Sequence, residues 1–248
     1  MGEQAYDKSV RTDEKNVRTD EKNVRADEKS GQAYEGSGHP HEGSGHPHEK
    51  QGADAAAAPR RVAMTPAARR ALEAAGRLFY ERGIHAVGVD LIAAEAGVTK
   101  KTLYDRFGSK EQIVVEYLAD RDERWRAFLA GYLAGAPTPR ARILAVFDAS
   151  RDWAAEFSGK GCSMINAHAE ISDPAHPAYP IITGQKAWML ALFTDLAAKI
   201  APREAERLAR TLMLLHEGGL VAHGLHIFPG VIEQARDDAE RLVASVGQ

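Results

Sequence analysis

The sequence predicts an all-α fold, and three observations carry the prediction. From Thr65 onward, apolar residues recur at three- and four-residue spacing, the period of a helix with one buried face. Residues that open helices, Thr65 ahead of Pro66, then Thr99 and Ser109, precede those segments. Glycine- or proline-bearing breaks close them, at Gly83, Gly97, Gly108, "GAPTP", "SGKG" and "PAHPAYP".

Each element follows from its own residues. In the first helix Ala68, Ala71, Leu72, Ala75, Leu78 and Phe79 form one face before Gly83. In the second, Val89, Ile92, Ala93 and Ala96 follow the i, i+3, i+4, i+7 pattern, and Gly97 ends it by tolerating the left-handed conformation. Thr99 caps a third helix in which Leu103 and Phe107 turn inward, so that Lys100, Lys101, Tyr104 and Asp105 face largely outward; Gly108 ends it. Ser109 with Gln112 three residues on reads as a capping box for a long fourth helix marked by Ile113, Val114, Tyr117, Leu118, Trp125, Phe128 and Leu129. A fifth is expected over about 139–157, a short sixth over 162–173, and three more over 181–200, 203–223 and 230–245. About nine helices result, the first three as an N-terminal domain and the later ones as a C-terminal helical body.

At 248 residues, with 44% hydrophobic and 27% charged side chains, the chain can bury the core of one or two soluble domains. No apolar run reaches the roughly 18 residues of a membrane span, and the first residues lack the apolar stretch of a secretory signal. A cytoplasmic location and no membrane partner are expected. A single cysteine, Cys162, allows no internal disulfide.

The overall net charge of −3 conceals an asymmetry. Residues 59–110 carry 10 basic and 5 acidic side chains, whereas 1–58 carry 8 and 12 and 111–248 carry 14 and 18. The positive charge is concentrated in one short block, as a polyanion partner would require.

Residues 1–58 read as a disordered repeat tail: "SVRTDEK", "NVRTDEK" and "NVRADEK" follow one another, and "EGSGHPH" then occurs twice. Each unit of the first repeat offers one valine where a coiled-coil seam needs two apolar positions. His39, His41, His46 and His48 sit among Gly, Ser and Pro, a setting with no fixed metal geometry. The two unrelated repeats suggest duplicated coding DNA, and Met64 is the expected start of the native chain.

Two short helices joined by a tight Gly-Val-Thr turn over 88–107 make a helix-turn-helix, whose second helix enters the major groove of DNA. A helical hairpin can carry such a turn for purely structural reasons; the basic block and the polar outer face select the DNA reading. At these residues, "ALEAAGRLFYERG" and "VDLIAAEAGVTKKTLYDRFGSKEQIV", the chain resembles the DNA-binding domain of the TetR (tetracycline repressor) family over residues 65–125. The resemblance implies that Thr99, Lys100 and Thr102 contact DNA, that Tyr104 lies against a phosphate and that Lys110 meets the backbone. It also implies a C-terminal domain, 126–248, that binds a small-molecule effector and forms a homodimer through its last two helices. Two positions depart from the family pattern. Gly88 stands where a hydroxyl usually meets a phosphate, and Lys101 adds a charge for which a phosphate contact is expected.

For the effector pocket the candidates are Trp153, Met164, Asn166, His168 and Trp188, on helices that line it in the family, although aromatic and Met positions at helical spacing are commonly core. His216 and His223, seven residues apart, fall on one face of the presumed dimer helix and read as interface or buried hydrogen-bonded groups. Cys162 reads as a small buried residue. No Gly-rich phosphate loop, HExxH pair, cysteine pair or G-x-S-x-G elbow occurs, so neither catalysis nor a cofactor is expected. The expected function is a ligand-responsive regulator, a repressor released from a palindromic, double-stranded operator. The alternative is a helical ligand-binding or interaction module that has lost operator binding, suggested by Gly88 and Asp105.

Overall fold

A computed structural model describes residues 61–246. The repeat tail and its histidines lie outside the described residues. Among the described residues the fold is all-helical: α1 (Pro66–Arg82), α2 (Val89–Ala96), α3 (Lys100–Phe107), α4 (Lys110–Gly135), α5 (Pro139–Phe157), α6 (Ser163–Glu170), α7 (Tyr179–Ala198), α8 (Ala205–Gly224) and α9 (Val231–Ser245), with a 3-10 turn at Pro202–Glu204.

The caps read from sequence at Thr65, Thr99 and Ser109 form, and the structure adds one at Thr138. Thr65, Thr99, Ser109 and Thr138 each accept a backbone N–H three residues on, at 3.3, 3.0, 3.1 and 3.1 Å. Several boundaries move by a few residues, two of them because of prolines. The sixth helix ends at Glu170 rather than 173, because Asp173 precedes Pro174 and is biased away from the helical region. The seventh starts earlier, at Tyr179, with Pro180 in its first turn, where a missing N–H is harmless.

Two hydrophobic cores share α4. Ile113, Val114 and Leu118 pack with α1, α2 and α3, whereas Trp125 and Leu129, further along, pack with α5, α7, α8 and α9. Helix α6 belongs with the first core through Met164 and Ala167, joined by Ile171 and Ile182. A helix late in sequence is thereby bound to the helices that carry the basic block.

The loop entering α6 crosses the end of α8 at two glycines. A Cβ on Gly161, which has φ +77°, would lie 2.7 Å from the Leu220 carbonyl oxygen, and one on Gly224 would lie 2.7 Å from the Lys160 backbone. Only glycines permit so close a crossing.

The segment ahead of α1 is also part of the packing. Glu116 on α4 is fully buried and accepts hydrogen bonds from Arg61 Nε (2.8 Å), the Val62 backbone N–H (2.6 Å) and Gln112 Nε2 (3.2 Å). Arg61 also pairs with Glu123, and Val62 and Met64 pack on the first core. The fold therefore draws on residues before Met64.

Candidate functional site

The first candidate site is the outer face of α3. Leu103 and Phe107 are buried and fix the helix against α1 and α4, leaving Thr99, Lys100, Lys101, Tyr104, Asp105 and Arg106 exposed and Thr102 and Lys110 half-buried. Gly97, in the left-handed conformation at φ 62°, ends α2 and turns the chain directly into Thr99. Thr99 Oγ1 accepts the Thr102 N–H at 3.0 Å and lies 2.8 Å from the Thr102 hydroxyl. If Thr102 donates across that contact, the Thr99 hydroxyl proton remains free to point outward. Tyr104 is 46% exposed, an unusual position for an aromatic ring that has no core role.

The two lysines are not bare. Lys100 Nζ lies 3.0 Å from Asp90 at the start of α2, and its hydrogen bond to that carboxylate holds its pKa above the usual lysine value. Lys101 pairs with Asp105 at 2.7 Å within α3. Both pairs are solvent-exposed, so a phosphate can displace either carboxylate. The i, i+4 spacing of Lys101 and Asp105 was visible in sequence; the Asp90 contact, which crosses between helices, was not. Gly88 supplies no side-chain cap to α2, and a Cβ there would meet nothing within 4 Å.

The second candidate site lies inside the C-terminal body. A cavity of about 50 Å³ opens between α4, α5, α6, α7 and α8, lined by apolar Trp125, Trp153, Met164 and Leu220 and by polar Asp122, Gln185, Lys186 and Cys162 among others. Of the sequence candidates, Trp153 and Met164 meet there. Asn166 is exposed and donates to the Lys160 carbonyl at 3.1 Å. His168 is exposed too, with its ring 5.9 Å from Tyr179, and Trp188 lies under the Arg126 guanidinium at 4.0 Å; none of these three is among the cavity's lining residues.

Along the cavity wall runs a polar chain that periodicity could not reveal. Lys186 Nζ sits 2.9 Å from both Glu217 oxygens and 3.1 Å from Cys162 Sγ. Glu217 Oε1 lies 3.3 Å from His216 Nδ1, and His216 Nε2 lies 2.8 Å from the Ser150 hydroxyl, which in turn donates to the Val146 carbonyl at 2.8 Å. Burial opposes the charge on Glu217, but the His216 hydrogen bond and the nearby Lys186 overcome it and lower its pKa to about 2. Burial likewise opposes the Lys186 charge, and Cys162 and Glu217 outweigh it, so that its pKa is raised. The sequence signal for this chain was the isolation of Lys186 and Glu217, each a single charge in an apolar stretch of helix.

The α6 segment grips α1 at one end and the loop after α1 at the other. At the near end, the Tyr80 hydroxyl donates to the Gly161 carbonyl and accepts from the Lys160 N–H, each at 2.8 Å, and Lys160 Nζ binds the Glu81 carbonyl. At the far end, Glu170 accepts from the Ile84 and His85 backbone N–H groups at 2.8 and 2.7 Å. The loop between α1 and α2 is thus held by the same short helix whose start lines the cavity. A second, open groove of about 490 Å³ lies between α1 and α4, walled by Arg69, Glu73, Arg77, Arg121 and Arg124 among others. No orphaned buried polar atom among the described residues lies in its walls.

On these residues the chain meets known proteins. Residues 71–117 match the model of the bacterial regulatory proteins of the tetR family. The chain is 31% identical over 151 residues to the HTH-type transcriptional activator FasR of Mycolicibacterium smegmatis, and 34% identical over 91 residues to the HTH-type transcriptional regulator BetI of Rhizobium meliloti. These matches cover 61% and 36% of this chain and 65% and 45% of the two curated relatives, less than two thirds of either. Among solved structures, SCO4454, a TetR-family transcriptional regulator from Streptomyces coelicolor, is 33% identical with a TM-score of 0.69, over 73% of this chain and 96% of that one. With the match on the turn that carries α3 and the fold shared along the remaining helices, the chain belongs to the TetR family of bacterial transcriptional regulators.

Proposed function

We propose that this protein binds a double-stranded operator as a homodimer through α3 and is released from it by a small molecule entering the cavity behind α6. The observation that carries the reading is the α3 face itself: a capped helix anchored by buried Leu103 and Phe107, with Thr99, Lys100, Lys101 and Tyr104 all exposed on it. Thr99, Lys100 and Thr102, at the helix N-terminus, reach base edges or phosphates. Tyr104, Lys101 and Lys110 hold the sugar-phosphate backbone. In a dimer, two such helices enter successive major grooves about 34–36 Å apart.

The α8 part of a dimer contact through α8 and α9 is supported by exposed apolar residues on α8 and in the loop that follows it. Leu214, Val221 and Leu225 recur along α8 and just past its end, and with Ile227 and Phe228 they remain 43% to 73% exposed. Large apolar side chains exposed together in this way mark a contact with a partner.

The effector reading is supported by size. At about 50 Å³ the cavity is well below the roughly 300–1,000 Å³ of sites that hold drug-sized ligands, so entry must displace its walls. Those walls include the start of α6, and the far end of α6 holds the α1–α2 loop through Glu170. A ligand that fits only the widened cavity favours a different placement of the DNA-reading helices, which is the differential affinity that regulation needs. We read residues 65–125 as the DNA-binding domain and 126–248 as the effector and dimer domain, with α6 as the strap between them.

Two observations favour other readings. FasR, the 31% identical relative, is named an activator, so bound protein could recruit transcription rather than block it. Asp90 and Asp105 each occupy a lysine of the reading face, which suits an interaction module that no longer binds DNA. A mobility-shift titration with DNA flanking the protein's own gene separates these cases. A sequence-dependent, salt-sensitive shift supports operator binding, and shifts no stronger than those of random DNA of equal length overturn it. Transcription from that DNA with and without the protein then assigns repression or activation.

A further inference from the structure

Two residues of the cavity wall each carry a buried polar atom without a partner. Gln185 is 6% exposed, and its Oε1 accepts no hydrogen bond. Asp122 Oδ1 is likewise buried and unpartnered, while Oδ2 of the same carboxylate accepts from Arg126 Nε at 2.9 Å. Both residues line the cavity. Buried acceptors of this kind are rare and call for a donor; both atoms are acceptors, so the missing partner must donate.

Charge narrows the class further. Lys186 is balanced by Glu217, and Asp122 by Arg126. Arg121, also in the wall, has no carboxylate partner among the described residues; it donates to the Phe157 carbonyl and the Ser158 hydroxyl and lies over the rings of Tyr80 and Trp153 at 4.7 and 5.5 Å. The uncompensated positive charge repels a cationic ligand. An anion would have to bring its own oxygens against Asp122 Oδ1 and Gln185 Oε1, which repel them. The apolar part of the wall is built from Trp125 and Trp153, whose rings meet edge to face at 5.7 Å, with Met164 and Leu220 beside them; aromatic faces of this sort accept a flat ring.

We infer that the effector is a neutral, ring-bearing molecule with a hydroxyl or N–H donor, that its donor bonds Gln185 Oε1 with Asp122 Oδ1 as a second acceptor, and that its ring lies against Trp125 and Trp153. The inference rests on the effector reading proposed above and gives it a chemical class. Phenol and anisole differ by the one donor at issue. Calorimetric titration of the full chain, without DNA, should show phenol binding about tenfold or more tightly than anisole, since a buried acceptor left unpaired penalises the ether. Gln185→Met, which keeps the volume and removes the first acceptor, should reduce the preference several-fold, leaving what Asp122 still supplies. Equal binding of the two by the wild-type protein overturns the inference without recourse to the variant. So does the absence of heat from either, which leaves water as the occupant. Repeating the phenol titration with operator DNA present separates the two readings: a donor preference with no effect on operator affinity would leave the ligand class standing and refute effector-driven release.

Discussion

The outer face of α3 and the interior of the helical body use the same chemistry to opposite ends. Lys100 and Lys101 pair with Asp90 and Asp105 in full contact with water, while Lys186 pairs with Glu217 at 2.9 Å among packed helices. An exposed pair contributes little and is exchanged readily for a phosphate. A largely buried pair, each side chain only about 20% exposed, is held more tightly, and loss of one partner strands the other. The comparison teaches that position decides what a lysine is for: on α3 it is available to a partner, on α7 it is committed to the fold.

Breaking the interior pair should give the largest effect. Glu217→Gln leaves Lys186 and His216 without their carboxylate, and chemical denaturation should show a loss of roughly 3–5 kcal/mol. Replacing Lys186 and Glu217 together by methionine should recover most of that loss, because no charge is then stranded. Recovery that fails would mean the pair serves packing more than charge.

Acid should remove the stability that the interior carboxylate supplies. Glu217 has a folded pKa of about 2, against 4.5 for the free group. Its contribution is therefore present in full above about pH 4.5 and is lost as the pH falls toward 2. The magnitude is of the order of 3 kcal/mol. Denaturant midpoints measured across that window should fall in the wild type and fall less in Glu217→Gln.

Next comes the segment before α1. Arg61→Ala removes one of three donors from buried Glu116 and should cost about 1–2 kcal/mol, tempered by the partial exposure of Arg61. A chain begun at Met64 also loses the Val62 N–H and should unfold at a lower temperature still.

At the reading face the effects should be smaller and should appear in binding rather than stability. Asp105→Asn frees Lys101 and removes a negative charge from the face proposed to meet DNA, so operator affinity should rise several-fold at low salt while the denaturant midpoint stays nearly unchanged. Gly88→Ser should do least, adding a few tenths of a kcal/mol through a new cap on α2. It should also tighten DNA binding if the hydroxyl reaches the phosphate that the family pattern implies.

The sequence made the helices legible because each carries its own local signals. Thr65, Thr99 and Ser109 cap where the spacing of polar and apolar residues said they should, and Leu103 with Phe107 fixes which side of α3 faces out. What escaped were relationships between helices. Glu170 grips a loop 85 residues earlier in the chain, Asp90 crosses to Lys100, and Gln185 and Asp122 meet in one cavity wall; none leaves a periodic trace. Pocket candidates chosen by residue type fared unevenly for the same reason: Trp153 and Met164 reach the cavity, whereas Asn166 and His168 lie on the side of α6 that periodicity alone could not orient.

The central claim is that α3 presents its lysines to nucleic acid phosphates. Operator affinity measured by fluorescence anisotropy across a range of salt concentrations tests it, with wild type compared with Lys100→Ala, Lys101→Ala and Lys110→Ala. Each replacement should lower the slope of log affinity against log salt by about one unit. Slopes unchanged in all three would show that the face does not meet DNA.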